Sequence, residues 1–299
     1  MAEAVRIREV GPRDGFQNEP ERIPTADKIR LIDALARTGL KRMEAGSFVR
    51  ADVIPQLADI IEVLHGIDTP DDVDLTVLVP NERGLDNALE HADRFHTVGL
   101  FLSASESHNQ HNVNRSVAES LAGLERMAGR ARDAGLAVTA VIATSFGCPY
   151  EGRVDPERVR SIARQLADAG AREVGFGDTT GMANPRQVRE FFTAEGLPDV
   201  ELTAHFHNTR GQGLANAVAA LDAGITSFES SFGELGGCPV PKGATGNIAT
   251  EDLISMFHEM GVETGVDLDA LIACSRDVQQ VLDRPLTSHV LVAGGVDWH

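Results

Sequence analysis

The sequence predicts an α/β fold, a (β/α)8 or TIM barrel with additional C-terminal helices. Short β-rich runs recur along the chain at 5–10, 42–45, 75–79, 97–102, 137–144, 173–176, 201–207 and 226–230. Helical patterns fill the segments between these runs, and repeated β-α units with buried strands are typical of a parallel sheet. Eight such units within 299 residues favour a closed barrel. An open doubly wound sheet is a weaker alternative, because no glycine-rich dinucleotide motif follows the first run.

Two of the intervening segments carry clear helix signals. Residues 26–38 have apolar side chains at positions 29, 31, 32 and 35, the spacing of a helix with one buried face, and Gly39 is a candidate C-cap. Residues 156–169 begin with Pro156 at the first helical position, after Asp155 as a candidate N-cap. We therefore expect a helix in each segment.

The chain continues past the eighth run for longer than one closing helix requires. We interpret residues 233–247 as a long loop beside the active site, and the remainder as two or more helices packed on the barrel. No Pro/Ser-rich linker interrupts the chain, so residues 1–299 are expected to form a single domain.

Composition and charge exclude several classes of partner. The net charge of −18 argues against nucleic acid and anionic membranes, which repel an acidic chain. No apolar run is long enough to span a bilayer, and the first β-rich run begins too early to leave room for a signal peptide. The cysteines, at 148, 238 and 274, have no metal or redox spacing, and a sparse, odd set favours a reducing cytoplasm.

Chemically capable side chains cluster where the predicted strands end. In this fold the C-terminal strand ends and the loops after them form the active site. These side chains are Arg13 and Asp14 after the first run, Glu44 and Ser47 after the second, Ser103, Ser105 and Glu106 after the fourth, Asp178, Thr179 and Thr180 after the sixth, His205, His207 and Asn208 at the seventh, and Cys238 after the eighth. We expect them to point into one mouth of the barrel.

The pair His205 and His207 is the most informative local pattern. Side chains two residues apart on a strand face the same way, so both imidazoles can reach one ion. Divalent metals accept imidazole together with carboxylate oxygen, and Asp14 is a suitable third ligand. The alternative is that both histidines are polar strand residues that face a hydrated loop.

The other candidates also have structural alternatives. Asp14 could cap the segment after it, and Asp178 could be an N-cap before Thr179. Arg13 could pair with Glu44 only to hold the rim of the barrel. Cys238 could be a small buried hydrophobic residue, although its position between Gly-Gly and Pro favours exposure.

Several stretches match a known family in order along most of the chain. They are EVGPRDGFQNE (9–19), MEAGSFV (43–49), VPN (79–81), SASES (103–107), FGCPYEG (146–152), GDTTG (177–181), HFHNTRGQGLAN (205–216) and ELGGCPVPKGATGNIATEDL (234–253). The chain thereby resembles 3-hydroxy-3-methylglutaryl-CoA lyase and its relatives, a group of barrel lyases and synthases of Claisen or aldol chemistry. The last of these stretches is the most specific match, and the first is nearly as specific.

The resemblance implies a role for each matching position. It implies a divalent cation, Mg²⁺ or Mn²⁺, held by Asp14, His205, His207 and Asn247. It implies Arg13 near a thioester carbonyl, Glu44 and Asp178 as acid–base or orienting groups, and Cys238 as a proton carrier on a flexible loop. It also implies that Gln17, Ser47 and Thr179 line the substrate site.

The implied reaction cleaves 3-hydroxy-3-methylglutaryl-CoA, or a closely related 3-hydroxy-3-(carboxymethyl)acyl-CoA, to acetyl-CoA and a 3-oxo acid such as acetoacetate. Departures from the family pattern leave the acyl group open. Asn208 replaces a common acidic residue, Arg210 an aromatic one, Gln110 and His111 a lysine pair, and Pro20 another lysine. We expect these positions near the acyl and CoA surfaces.

Two other functions are compatible with the same barrel. One is a Claisen-type synthase that condenses acetyl-CoA with a 2-oxo acid, which the Cys238 loop and the short C-terminal region disfavour. The other is a non-catalytic barrel that binds a metal or a CoA ester. The expected partners are an acyl-CoA substrate and further copies of the chain in a dimer or tetramer.

Overall fold

The computed structural model describes residues 4–237 and 246–296. Its eight parallel strands close into a barrel in which neighbours in sequence pair and the last strand pairs with the first. In order they are β1 (Arg6–Glu9), β2 (Arg42–Ser47), β3 (Asp74–Leu78), β4 (Thr97–Ser103), β5 (Ala137–Ala143), β6 (Glu173–Asp178), β7 (Glu201–Phe206) and β8 (Ser227–Ser230). The predicted barrel is confirmed, and the predicted strand ends differ from the observed ones by at most two residues.

Eleven α-helices occur in the described part of the chain. They are α1 (Thr25–Ala36), α2 (Ile60–Gly66), α3 (Glu82–Leu89), α4 (Glu106–Val113), α5 (Val117–Asp133), α6 (Pro156–Asp168), α7 (Pro185–Phe192), α8 (Gly213–Asp222), α9 (Thr250–Glu259), α10 (Leu268–Leu282) and α11 (His289–Ala293). Asp155 caps α6, as expected, by accepting a hydrogen bond from the Glu157 N–H at 3.0 Å. The α1 helix ends earlier than expected, with Arg37 as its C-cap, and Gly39 lies further on in the left-handed region at φ +100°.

The expected C-terminal helices follow the barrel. Helix α9 contacts a short 3₁₀ helix at Phe232–Glu234, and α10 packs against both α1 and α9. The predicted loop at 233–247 is described only in part, because residues 238–245, including Cys238, lie outside the described ranges. None of the helices in the described ranges has the length and hydrophobicity that a membrane span needs.

The barrel interior contains a buried ionic layer. Both terminal nitrogens of the Arg8 guanidinium donate to Glu173, at 2.7 and 2.6 Å, and one of them also donates to Glu229 at 3.0 Å. Arg42 donates to Glu173 at 2.9 Å and to Glu201 at 2.8 Å. Buried charges are tolerated when they are paired and hydrogen-bonded. The layer therefore ties β1, β2, β6, β7 and β8 together below the mouth of the barrel.

Glu9, the last residue of β1, connects the loops after the first and last strands. Its Oε1 atom accepts hydrogen bonds from the N–H groups of Gly11 at 2.7 Å and Phe232 at 3.1 Å, and its Oε2 atom accepts one from the Thr250 hydroxyl at 2.7 Å. Burial raises the pKa of Glu9 to about 8, although these hydrogen bonds oppose the shift. The loop that carries Arg13 is thus fixed relative to the end of β8.

Candidate active site

A single π-helical turn, Gly11–Gly15, places Asp14 at the mouth of the barrel directly after β1. The N–H groups of Asp14 and Gly15 both donate to the carbonyl of Val10, at 2.7 and 3.4 Å, and the second of these bonds closes the π-helical turn. One carboxylate oxygen of Asp14 accepts a hydrogen bond from Gln17 at 2.8 Å. Asp14 does not cap a following α-helix, since the chain continues into a 3₁₀ turn at Phe16–Asn18 without a side-chain cap.

Two imidazoles meet Asp14 from the other side of the mouth. His205 lies within β7 and His207 follows its end, and their Nε2 atoms are 3.1 Å apart. Ligand atoms of Asp14, His205 and His207 all lie within 4.8 Å of one another. The structure therefore brings together the three side chains that the sequence suggested, as a group that could hold a metal ion.

Asn247 completes this cluster from the segment after β8. It is fully buried and forms an isolated β-bridge with His207. Its Nδ2 group donates to Asp14 at 2.7 Å, whereas its Oδ1 atom is buried with no hydrogen-bond partner among the described residues. Burying a carbonyl oxygen without a hydrogen-bond donor costs free energy, and coordination of a cation would offset that cost. The donor set therefore fits a divalent ion.

Electrostatics keep the Asp14 carboxyl ionised. Burial alone would raise its pKa, but the neighbouring Arg13, His205 and His207 lower it below the ordinary value. Arg13 contributes most to this effect among the three, through a contact of 2.6 Å with the Asp14 carboxylate. An ionised carboxylate is the form that a metal ion requires.

Glu229 is a part of the site that the sequence analysis missed. Its carboxylate accepts a hydrogen bond from Nδ1 of His205 at 2.9 Å and pairs with Arg8 on its other side. Burial would raise the pKa of Glu229, but His205 and Arg8 lower it to about 2. Burial would likewise lower the pKa of His205, but Glu229 and Asp14 outweigh that effect and raise it. The signal in the sequence was a charged residue within the buried run SFES.

Arg13 bridges two carboxylates. Its Nε atom donates to Glu44 at 2.6 Å, a second nitrogen approaches the same Glu44 oxygen at 2.5 Å, and a third donates to Asp14. Burial raises the pKa of Glu44, although Arg13 opposes the shift. The pair that the sequence suggested as a rim contact therefore exists, and Arg13 also lines the cavity at the mouth.

Asp178 lies beside this site without lining its cavity. One of its oxygens accepts hydrogen bonds from the N–H groups of Met182 at 2.7 Å and Ala183 at 3.0 Å. The other oxygen is buried with no hydrogen-bond partner among the described residues. Burial raises the pKa of Asp178 to about 7, against the effect of these hydrogen bonds. One carboxylate oxygen of Asp178 therefore holds the loop after β6 in place, and the other is available for a further contact.

A cavity of about 370 Å³ opens at this end of the barrel. Seven of the residues suggested by the sequence line it: Arg13, Asp14, Gln17, Ser47, Thr179, His205 and His207. Glu44, Asp178 and Asn247 are not among the lining residues, and Cys238 lies outside the described ranges, although its neighbour Gly237 lines the cavity. The remaining wall is largely apolar and includes Leu78, Pro80, Phe101 and Val141.

The positions that depart from the family pattern have other contacts. Asn208 donates to Glu234 at 2.7 Å, and Arg210 donates to the carbonyl groups of Thr180 and Gly181 at 2.9 and 2.8 Å. These side chains connect neighbouring loops and do not line the cavity.

Gln110 and His111, which stand where the family has a lysine pair, are exposed on α4. Gln110 donates to Asn114 at 2.7 Å, and the His111 ring stacks on Tyr150 with centroids 4.5 Å apart. Pro20 is exposed. None of the departing positions lines the described cavity wall, and the expectation that they lie near the acyl and CoA surfaces stays a prediction.

The fold and this site define a barrel enzyme with a candidate metal centre at the C-terminal ends of its strands. Comparison with known proteins identifies its class. The family profile described as HMGL-like matches residues 4–278. The chain therefore belongs to the HMGL-like family, and it is a lyase of the hydroxymethylglutaryl-CoA lyase type.

Individual relatives are similar over nearly their whole length. A hydroxymethylglutaryl-CoA lyase of Bacillus subtilis is 45% identical, and the alignment covers 96% of each chain. An (R)-citramalyl-CoA lyase of Chloroflexus aurantiacus is also 45% identical, over 98% of this chain and 96% of the relative. A solved HMG-CoA lyase of Acinetobacter baumannii, in complex with coenzyme A and 3-methylmalate, is 41% identical with a TM-score of 0.93, over 99% of this chain and 97% of that one.

Proposed function

We propose that the chain cleaves 3-hydroxy-3-methylglutaryl-CoA, or a closely related 3-hydroxy-3-(carboxymethyl)acyl-CoA, to acetyl-CoA and a 3-oxo acid such as acetoacetate. The observation that carries this proposal is the cluster of Asp14, His205 and His207 beside Arg13 in one cavity. The lyase class and the substrates named for its relatives support it. Because the chain is a lyase, the two alternatives, a Claisen-type synthase and a non-catalytic barrel, are not proposed.

The cation in this proposal is Mg²⁺ or Mn²⁺, held by Asp14, His205, His207 and the Oδ1 atom of Asn247. Carboxylate, carbonyl and imidazole ligands suit these ions. When bound, such an ion lowers the pKa of a substrate hydroxyl and orients it together with a free carboxylate. The ionised Glu229 accepts a hydrogen bond from Nδ1 of His205, so Nε2, which faces His207, is the nitrogen that would act as the ligand.

Arg13 stabilises the charge that moves onto the thioester. As the C2–C3 bond breaks, its electron pair forms an enolate whose oxygen carries negative charge. A guanidinium fixed between Glu44 and Asp14 can direct a donor to that oxygen without rearrangement. Its pKa lies above the ordinary arginine value, because the two carboxylates outweigh burial, so it stays charged throughout.

A base must take the hydroxyl proton, and Asp178 is the first candidate. Its pKa of about 7 suits proton transfer near neutrality, and one of its oxygens has no partner among the described groups. Glu44 is the second candidate, but Arg13 holds its Oε2 atom. Replacing each by its amide separates the two, because only loss of the true base should remove the acidic limb of the pH–rate profile.

The enolate then needs a proton at C2 to become acetyl-CoA. We assign this step to the thiol of Cys238, which recovers a proton from solvent after the products leave. Cys238→Ser should slow turnover with little change in folding, since a hydroxyl is a much weaker acid than a thiol. A variant that fails to fold would instead favour the alternative of a buried structural cysteine.

The decisive experiment is a turnover screen with product identification by mass. The panel contains 3-hydroxy-3-methylglutaryl-CoA, analogues with longer 3-substituents, and citramalyl-CoA, which is included because of the Chloroflexus relative. Acetyl-CoA together with acetoacetate, or with a homologous 3-oxo acid, would support the proposal. Acetyl-CoA together with pyruvate would assign the citramalyl ester instead. No cleavage of any ester would contradict the proposed reaction.

We further propose that the chain works in the cytoplasm as a homodimer or homotetramer, without nucleic acid or membrane partners. The net charge of −18 supports the lack of nucleic acid and membrane partners, and the sparse cysteines, of which Cys148 and Cys274 are buried and free, support a reducing compartment. Light scattering after gel filtration would measure the mass, and a monomer at micromolar concentration would contradict the oligomer.

A further inference from the structure

His108 is a buried polar residue in the cavity wall that the mechanism above does not use. It lies in the first turn of α4, where its N–H donates to the capping Ser105 hydroxyl at 3.1 Å. Its side chain lines the cavity, yet the residue is only 6% exposed. Its Nδ1 atom is buried and has no hydrogen-bond partner within residues 4–237 and 246–296.

The surroundings of His108 fix its protonation. Burial lowers its pKa, and the nearby His111 lowers it further, so the ring is neutral at neutral pH. A buried N–H without an acceptor is costlier than a bare acceptor nitrogen, so the proton belongs on Nε2 and not on Nδ1. Because the ring lines the cavity while its Nδ1 atom is buried, we infer that Nε2 is the nitrogen that faces the cavity. His108 thus offers the cavity one neutral N–H donor.

The residues around His108 indicate what this donor meets. The carboxylates and the guanidinium of the cavity, Arg13, Asp14 and Glu229, belong to β8 and the loop after β1, and its two candidate ligand histidines lie at the end of β7. The two residues of α4 that line the cavity are neutral. His108 is buried, and Asn112, one helical turn further along the same face, is exposed. Apolar side chains such as Phe101 and Val141 line the cavity with them. The face of α4 therefore presents neutral polar groups from the interior to the surface, along a largely apolar wall.

This pattern matches the chemistry of a pantetheine arm, in which amide groups alternate with short methylene segments. A carboxylate or a phosphate would require a cation, and α4 presents none to the cavity. We propose that the pantetheine arm of the substrate leaves the cavity along α4, and that the Nε2–H group of His108 donates a hydrogen bond to the amide carbonyl nearest the thioester. The inference rests on the proposed function, because it requires a CoA ester as substrate.

The test uses substitutions of His108 and two forms of the same substrate. His108→Phe keeps a planar ring beside Tyr150, whose centroid is 6.2 Å away, but removes the donor. His108→Gln restores an N–H group near the position of Nε2. His258→Phe is the control, because this ring is exposed on α9 and does not line the cavity. The two substrates are the CoA ester and the corresponding S-ethyl thioester, which has no amide.

We expect His108→Phe to lower kcat/KM for the CoA ester about 3- to 10-fold, mainly through KM, as the loss of one hydrogen bond predicts. The S-ethyl thioester should be cleaved equally well by wild type and variant. His108→Gln should recover most of the loss, and His258→Phe should match wild type. An equal loss with both substrates would overturn the proposal, since His108 would then act on the acyl group or on the fold. Unchanged kinetics with both would overturn it as well.

Calorimetry with free coenzyme A separates this inference from the proposed reaction. His108→Phe should raise the Kd of coenzyme A by the same 3- to 10-fold factor, and this measurement requires no turnover. If wild type binds coenzyme A but cleaves none of the esters, the proposed reaction fails and the role of His108 is still tested. An unchanged Kd would reject the contact whatever the substrate is.

Discussion

The Glu229 carboxylate accepts a hydrogen bond from Nδ1 of His205 at 2.9 Å, and Arg8 holds the same carboxylate from below at 3.0 Å. The register of β7 and β8 places His205 directly beside Glu229. Because its Nδ1 atom is engaged, His205 presents Nε2 towards His207 and Asp14. The buried ionic layer of the barrel thus extends to the candidate metal centre and determines the orientation of one of its ligands.

Replacing Glu229 by Gln should therefore weaken metal binding. An amide can still accept the hydrogen bond but lacks the charge that makes His205 a stronger ligand, and loss of such a partner typically costs about 10- to 100-fold in metal affinity. Titration of the metal-free protein with Mn²⁺ by calorimetry measures the effect. Glu201→Gln, at the start of β7 and paired with Arg42, is the control and should leave the Mn²⁺ affinity unchanged. Equal affinities for Glu229→Gln and wild type would remove Glu229 from the metal site.

Metal removal is expected to abolish turnover. Prolonged chelation should reduce the rate to background, and Mg²⁺ or Mn²⁺ should restore it, because Asp14, His205 and His207 form a group of potential ligands in the cavity. His207→Ala should prevent the recovery at ion concentrations that saturate wild type, whereas His258→Ala, at an exposed position on α9, should not. Undiminished turnover in metal-free buffer would contradict the ligand assignment.

Replacing Arg13 even by Lys should lower kcat by roughly 10²- to 10³-fold, the usual effect of removing a donor to a developing oxyanion. Three nitrogens of Arg13 contact Glu44 and Asp14, and a single ammonium group on a flexible stem cannot hold both carboxylates in the same geometry. Single-turnover kinetics would measure the chemical step. Arg50→Lys, in an exposed pair with Asp52, is the matched control. Near-normal kinetics in Arg13→Lys would exclude Arg13 from catalysis.

The fold could be predicted from the sequence because the barrel strands are short apolar runs between amphipathic helices. The group of candidate metal ligands could also be predicted from the sequence. His205 and His207 share one face of a strand that ends at the barrel mouth, where Asp14 also lies. Both inferences depend on local patterns and on a general property of the fold. They do not require the detailed packing of side chains.

Glu229 was harder to assign because other charged residues also interrupt apolar strands. Arg8, Arg42 and Glu173 are equally buried within their strands, yet they belong to the ionic layer of the barrel interior. Only the pairing register shows which buried charge lies beside His205. The sequence reveals that a charge is present in a strand, but its depth in the barrel depends on strand stagger, which closure of the whole sheet determines.

The contacts of Arg210 illustrate a second kind of information that the sequence does not contain. Its guanidinium donates to two carbonyl groups of the loop after β6, a direction set by the conformation of that loop. Side chains in loops follow the backbone groups that need partners, and these are known only once the loops are placed. Predictions from spacing are therefore weaker for loop residues than for strand ends.

The buried carboxyl of Glu9 should make stability depend on pH in a defined direction. Its pKa of about 8 lies above the ordinary glutamate value, so the folded state holds a proton that the unfolded state releases. The stabilisation that Glu9 contributes is fully present below the ordinary pKa of glutamate, and it is lost as the pH rises towards 8. Glu251 and Asp178, both with a raised pKa of about 7, act in the same direction.

Glu9→Gln isolates this contribution, because an amide resembles the protonated carboxyl and can still accept from Gly11 and donate to Thr250. Between about pH 5 and about pH 8.5, wild type should lose about 3 to 4 kcal/mol more stability than the variant, as judged from urea unfolding. Near the acidic end the two should be similar, and near the alkaline end Glu9→Gln should be the more stable protein. Glu62→Gln, at an exposed position of α2, should follow wild type throughout. Parallel pH profiles for wild type and Glu9→Gln would show that Glu9 is ionised in the folded protein, with its three hydrogen bonds sufficient to offset burial.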